Sequence, residues 1–366
     1  MCIIAGYSGN KSAAPILIEM MKKSEYIDGG LSTGIATIHN GKLHIRKVIG
    51  DVDTLLRETD ALDLPGTTGI IHSRTGGDRI SHAHPFISNN GEIVLLTNGT
   101  TGEVNSPEYD NASNEVMRHF YERGFKINTA FNVPPGIIRT RLLPNRQSYI
   151  DTEPYLFLIE EALEKCDERS LKSEIAVAAR NAINTLPRAF VCMCVHAKIN
   201  DTITIGNVAR PVSIGFGDGE TYIASVPFAF PEEIQKLPVI HLPPTTVAQV
   251  TPNGLEIHST SLENARVEQI DYRIAAAIRT GMEELLKGKK DAPVSIYDMP
   301  FRTDWAKVWS EPYIDAKFSS GKGYLKPYAA IMYEALWSFH KEGRLHSVIG
   351  QKTDKPDEKI TRFWID

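Results

Sequence analysis

The chain has 366 residues, 42% hydrophobic and 23% charged, with a net charge of −5 from 40 basic and 45 acidic residues. That length allows about two domains with at least one sizeable core, and the composition excludes a wholly disordered chain. The charges form no long blocks, no stretch has the roughly 20 apolar residues of a spanning helix, and Met1 to Asn10 lacks a secretory signal, so neither nucleic acid nor membrane is expected and the address expected is cytoplasmic.

From Cys2 to about His258, short β-rich runs alternate with helical stretches. Cys2 to Gly6 begins as a strand, and Ala14 to Lys23 has apolar residues near helical spacing. Strands are predicted at Thr33 to Ile38, Leu43 to Val48, Thr68 to His72 and Ile93 to Leu96, separated by turns such as Asn40-Gly41 and Asn90-Gly91. A helix over Ser113 to Arg123 stops at Gly124, and Pro134, Pro135 and Gly136 open a loop-like stretch to Ser148. Two helices, Tyr155 to Lys165 and Leu171 to Thr185, lead into four or more strands between Ala189 and Ile257.

Beyond Ser259 the character changes. All four tryptophans, Trp305, Trp309, Trp337 and Trp364, lie after residue 300, which argues for a separate small core. Helices are predicted over Ile274 to Leu286 and Lys326 to Lys341, and Arg344 to Gly350 with Glu358 to Ile365 alternate like a hairpin. A helix followed by a hairpin is the ending of a winged-helix unit, although many α+β modules end so. Residues 287 to 366 carry 14 basic against 11 acidic residues, a balance of +3 that does not demand phosphate contacts.

The four cysteines are too few for a disulfide framework and lack zinc spacing. Cys192 and Cys194 share one face of a strand-like run and are expected to pack in a core, and Cys166 ends a helical pattern. Cys2 differs. Removal of Met1 would leave it with both a thiol and an α-amine whose ordinary pKa is about 7.7 to 8.0, a nucleophile and base in one residue. If Met1 stays, Cys2 is merely a buried strand residue.

Four segments then fall together: Met1-Cys-Ile-Ile-Ala-Gly-Tyr7, Ile71-His-Ser-Arg74, Ala83-His-Pro85 and Leu96-Thr-Asn-Gly99. Their order and near spacing resemble the glutaminase domain of glucosamine-6-phosphate synthase, and with it the class II glutamine amidotransferases, which are N-terminal-nucleophile hydrolases. Ser148-Tyr-Ile-Asp-Thr-Glu153 before a helix, and Arg210 to Gly217 with Tyr222 to Ser225, resemble two further segments of that family. The resemblance covers roughly residues 2 to 258, about seven tenths of the chain. It implies an α+β fold, the four-layer αββα sandwich, over 2–258, followed by a small α+β module at 259–366.

The resemblance also implies roles. Cys2 attacks the side-chain amide of glutamine, with its own α-amine moving the proton, and water later releases glutamate from the thioester. Asn98 and Gly99 hold the oxyanion, Arg74 clamps the α-carboxylate, and Asp151 pairs with the α-amino group. Asp151 lies 53 residues beyond Asn98, a longer interval than the family's, and Asn132 also falls near the expected place. No cofactor and no metal are expected: His72, His82 and His84 have no carboxylate at ligand spacing, and the family uses this stretch as structural support.

Several positions depart from the family. Ile3 stands for a glycine, Ile27 for an arginine, and Ser73-Arg-Thr-Gly-Gly-Asp-Arg79 replaces Thr-Arg-Trp-Ala-Thr-His-Gly. Thr75 therefore replaces the tryptophan that gates ammonia, and Gly77 and Asp78 replace two groups that hold glutamine. The 108 residues after His258 are too few for the synthase's paired sugar-binding domains, so ammonia is expected to pass to a separate synthase or sugar isomerase subunit or to solution. The first reading is a glutamine amidotransferase subunit or free glutaminase. A second is a non-catalytic regulator or assembly protein that keeps the fold, and a third is a cysteine amidase acting on another amide. Whether the chain forms a homo-oligomer is left open.

Overall fold

The computed structural model describes residues 2–99, 107–263, 265, 267, 271–298 and 328–366. Chain order is β1 (Ile3–Ser8), α1 (Ala13–Asp28), β2 (Ser32–His39), β3 (Lys42–Ile49), α2 (Val52–Glu58), β4 (Thr68–Arg74), β5 (Phe86–Ile87), β6 (Ile93–Gly99) and α3 (Pro107–Glu122). Then come α4 (Glu153–Leu163), α5 (Leu171–Thr185), β7 (Phe190–His196), β8 (Ile203–Asn207), β9 (Ser213–Gly217), β10 (Glu220–Ala224), α6 (Glu232–Gln235), β11 (Ile240–His241), β12 (Thr246–Thr251) and β13 (Gly254–Ser259). The chain ends with α7 (Tyr272–Leu286), β14 (Val294–Ser295), α8 (Tyr328–Lys341), β15 (Leu345–Gln351) and β16 (Lys359–Ile365).

Two antiparallel sheets form the centre, one ordered β11-β9-β10-β1-β4-β2-β3 and the other β13-β12-β8-β7-β6-β5. Strand periodicity sorts their side chains into layers. In β1, Ile4 enters the core between the sheets while Ile3, Ala5 and Tyr7 face α1. In β7, Val191, Met193 and Val195 enter that same inter-sheet core, while Phe190, Cys192 and Cys194 face α4 and α5. The result is the αββα sandwich, an α+β architecture. Cys192 and Cys194 are packed thiols, and burial pushes that of Cys192 up to about 12. None of the described helices is long and apolar enough to cross a membrane.

The C-terminal elements do not close a core of their own, contrary to what the clustered tryptophans suggest. Ile274, Ile278 and Met282 of α7, Leu336 and Phe339 of α8 and Phe363 of β16 share one apolar cluster with Leu17, Met20 and Met21 of α1. Trp305 and Trp309 lie outside the described residues. Trp337 is buried, in ring contact with Phe228, a residue of the first unit. The predicted hairpin is present as β15 and β16, with β14 adding a third strand. A covering layer can pack on α1 because that helix extends to Asp28, five residues past its expected end, and is buried along most of its length.

One buried carboxylate ties the first layers together. Glu25 of α1 accepts hydrogen bonds from Thr33 Oγ1 of β2 at 2.8 Å, Ser73 Oγ of β4 at 2.7 Å and Val52 N of α2 at 3.0 Å. Burial raises its carboxyl to about 7, although those three donors oppose the shift. The folded state therefore holds the proton more tightly than the unfolded chain. Its contribution to stability is complete below the ordinary value of 4.5 and is lost as the pH rises through about 7. Relative to E25Q, which has no such proton, the protein should lose about 2 kcal/mol of stability between pH 5 and 7.5, read from denaturant midpoints. An unchanged difference between the two pH values would mean that Glu25 stays ionised in the fold.

Candidate active site

Cys2 immediately precedes β1, which pairs with β4 so that Ile3 faces Ser73. One more residue of that register sets Cys2 opposite Arg74. From the other sheet, β6 brings Asn98 and Gly99 to the same end of the sandwich. The Cys2 backbone nitrogen donates to Asn98 Oδ1 at 2.9 Å, and both residues are buried. With Oδ1 so engaged, the carboxamide turns its Nδ2, the donor end, elsewhere.

Gly99 is required by packing as well as by chemistry. A Cβ there would sit 2.5 Å from Phe190 Cβ and 2.9 Å from Ala189 O, since β6 and β7 approach closely at this pair. The bare backbone leaves room beside the Gly99 N–H.

The histidines are cross-links between layers. His72 Nε2 lies 3.1 Å from Thr97 O, His84 Nε2 lies 2.8 Å from Thr152 Oγ1, and Thr97 Oγ1 meets Thr152 Oγ1 at 2.6 Å. The His72 and His84 rings are 4.4 Å apart. Burial, with Arg74 nearby, pushes the His72 imidazole down to about 3, so it is neutral at ordinary pH. His82 Nε2 meets Thr129 O at 3.2 Å.

Asp151 stands just before α4 with its carboxylate held by Arg188 Nη1 at 3.0 Å and Arg141 Nη1 at 3.2 Å. Burial opposes its ionisation, but Arg141, Arg188 and Arg74 outweigh burial and hold the carboxyl below its ordinary value. Arg188 is buried, and its guanidinium stacks 4.4 Å from the centre of the Tyr109 ring. Asn132 instead accepts from Gln147 Nε2 at an exposed position.

Asp151 connects two spaces. One is a small cavity shared with Gly99, Thr97 and Arg188. The other is a cleft of about 390 Å³ whose walls include Arg74, Arg79, Arg139, Arg141 and Asp78. Cys2, Asn98, Gly99, Asp151 and Arg74 are thus joined by an unbroken series of contacts and shared walls. Arg79 bonds Asp78 at 3.2 Å and holds that carboxyl below the ordinary range. Four arginines against two aspartates give the cleft a positive balance suited to a substrate with an anionic end.

Arg141 and Arg188 escape detection in the sequence. Arg188 follows a proline ahead of β7, Arg141 lies in the stretch after Gly136, and no motif marks either one. Their pairing with Asp151 predicts a mutational signature. Removing one partner of a buried ion pair leaves an unpaired charge and typically costs about 3–5 kcal/mol. D151A should therefore lower stability by about that much in a denaturant titration, and the double variant D151A/R188M should recover most of the loss. Full stability in D151A would assign Asp151 to the ligand alone.

The sandwich and the disposition of these residues define a class II glutamine amidotransferase domain, the N-terminal-nucleophile type. In sequence, the chain is related to glutamine–fructose-6-phosphate aminotransferases through their glutaminase domain. That of Pyrococcus horikoshii is 29% identical over 228 residues, 62% of this chain and 32% of the relative. That of Chlorobaculum tepidum is 28% identical over 296 residues, 78% of this chain and 42% of the relative. The chain thus spans well under half the length of these relatives. No protein-family model matches it. Among solved structures, the glutamine phosphoribosylpyrophosphate amidotransferase of B. subtilis shares the fold at a TM-score of 0.53 and 19% identity, over 73% of this chain and 50% of that one. A structure described as the allosteric regulatory enzyme of purine biosynthesis gives 0.55 and 18%, over 85% and 64%.

Proposed function

We propose that this protein hydrolyses the side-chain amide of glutamine through Cys2. The observation that carries the reading is the 2.9 Å hydrogen bond from Cys2 N to Asn98 Oδ1, which puts the nucleophile beside two oxyanion donors. With Met1 removed, the bond to Asn98 orients the α-amine beside its own thiol. The amine takes the thiol proton as sulfur attacks the amide carbon, and returns it to the departing ammonia. Asn98 Nδ2 and Gly99 N stabilise the oxyanion, and water then cleaves the thioester to give glutamate. Arg74 receives the α-carboxylate in a forked contact that lysine cannot copy. Asp151 receives the α-amino group once Arg141 or Arg188 gives way. Ammonia passes to a separate acceptor-bearing partner or to solution, in a cytoplasmic protein that needs no metal or cofactor. Residues 2–258 form the catalytic unit and 259–366 an accessory one.

A second reading has an observation of its own. Asp151 is already engaged by two arginines, and Thr75, Gly77 and Asp78 replace groups that hold glutamine in the family. A cysteine amidase for a different amide with an acidic end fits that cleft as well.

Intact mass before and after exposure to diazo-oxo-norleucine tests both. Loss of methionine with one adduct mapped to Cys2 is expected for the glutaminase. Retained Met1 and no adduct would sink it, while loss of methionine without an adduct directs attention to a panel of other amides. In the active enzyme, N98A should lower kcat about 10²- to 10³-fold. R74K should act chiefly on KM, because the carboxylate contact is made in ground and transition states alike.

A further inference from the structure

A second cavity, of about 220 Å³, lies between α8 and the β9–β11 edge of the larger sheet and shares no wall residue with the arginine cleft. It is smaller than the roughly 300–1,000 Å³ of drug-sized sites, so its occupant is small. Much of the wall is apolar, with Pro211, Val212, Leu242 and Ile331, and the polar exceptions include Arg210 and Tyr333. Tyr333 is 3% exposed, and its hydroxyl has no hydrogen-bond partner among the described residues. A buried hydroxyl in that state has given up water without replacement, and it marks where a ligand atom would be accepted.

The cavity is also braced against the nucleophile. Arg210 is 2% exposed and donates through Nε to Ala189 O at 2.8 Å, the carbonyl that crowds Gly99. Ser225, another wall residue, accepts from Ile4 N at 3.1 Å, two residues from Cys2. The Tyr333 phenol feels the charges of Asp28, Arg210 and Cys2. Asp28 is not part of the wall and accepts from Tyr297. Glu334 on the wall is bridged to His241 at 2.7 Å, which pins α8 to β11 across the cavity.

We propose that this cavity binds a small monocarboxylate with an apolar body, its carboxylate receiving the Tyr333 hydroxyl in the field of Arg210, and that occupancy is felt at Cys2. The coupling rests on the reading of Cys2 as the nucleophile; the binding does not. A carboxylate placed there brings negative charge toward the thiol and disfavours thiolate, so alkylation of Cys2 slows at fixed pH.

The test uses the full chain with benzoate as probe and benzyl alcohol as its neutral counterpart, followed by titration calorimetry. Benzoate should bind at least tenfold more tightly than the alcohol. Y333F removes a hydroxyl that has no described partner, so the fold should be kept while benzoate binding weakens about fivefold or more. A330W, which fills the cavity from α8, should abolish binding. Iodoacetamide labelling mapped to Cys2 should slow under saturating benzoate in the unaltered protein and not in A330W. Absence of benzoate binding, or equal binding in A330W, would overturn the site; binding with unchanged labelling of Cys2 would overturn the coupling. If Cys2 cannot be labelled even without benzoate, the failure belongs to the nucleophile reading, and calorimetry still decides the cavity.

Discussion

The backbone nitrogen of Cys2 and the side-chain oxygen of Asn98 belong to different sheets, and the bond between them forms only when those sheets are stacked face to face. Much of the rest serves that closure. Alternation along β1 and β7 sends Ile4, Val191 and Met193 into the space between the sheets, so apolar burial sets their separation. His72 adds a second crossing to Thr97, one residue before Asn98. A nucleophile from one sheet and an oxyanion pocket from the other place the chemistry under the control of global packing: loosening the inter-sheet core separates Cys2 from Asn98 before it disturbs either strand.

The charge pattern around this closure is unusually basic for a chain with a net charge of −5. Arg74, Arg79, Arg139 and Arg141 share one cleft, and Arg188 lies behind it. Asp151 stays ionised against the effect of burial because two of those guanidiniums bond it directly. The same pairs limit what Asp151 can offer a substrate, since an incoming ammonium must compete with contacts already made in a poorly solvated site. Asp78 changes less than its position suggests: Arg79 pairs with it at the surface, so it does not confront Arg74 as a bare carboxylate.

The residues that were readable in the sequence are those whose chemistry is local. Cys2 and Asn98-Gly99 declare themselves by type and order, and the strands before Leu96 show a clean period of two bounded by Asn-Gly turns. The helix α2 was missed because seven residues give too little periodicity, although Asp51 caps it by accepting from Thr54 N at 2.9 Å. The arginine partners of Asp151 were not legible for a different reason. Arg141 and Arg188 are 10 and 37 residues away from Asp151 along the chain, and only the meeting of the loop after Gly136 with the approach to β7 brings them together. A tertiary ion pair between residues with no shared motif leaves no local signal.

The C-terminal elements failed the expectation of a separate core for a reason that bears on function. Apolar faces of α7, α8 and β16 are satisfied by α1, so the same burial that stabilises them fixes them over the first unit. Tyr297 bonds Asp28 at the end of α1, and Tyr333 lies near Cys2. A module held by a shared core transmits displacement to its neighbours, because close-packed interiors have few voids to absorb it. Whatever occupies the space beneath α8 therefore acts on the wall of the nucleophile's site, and the accessory unit is better regarded as part of that site's structure than as a passenger beside it.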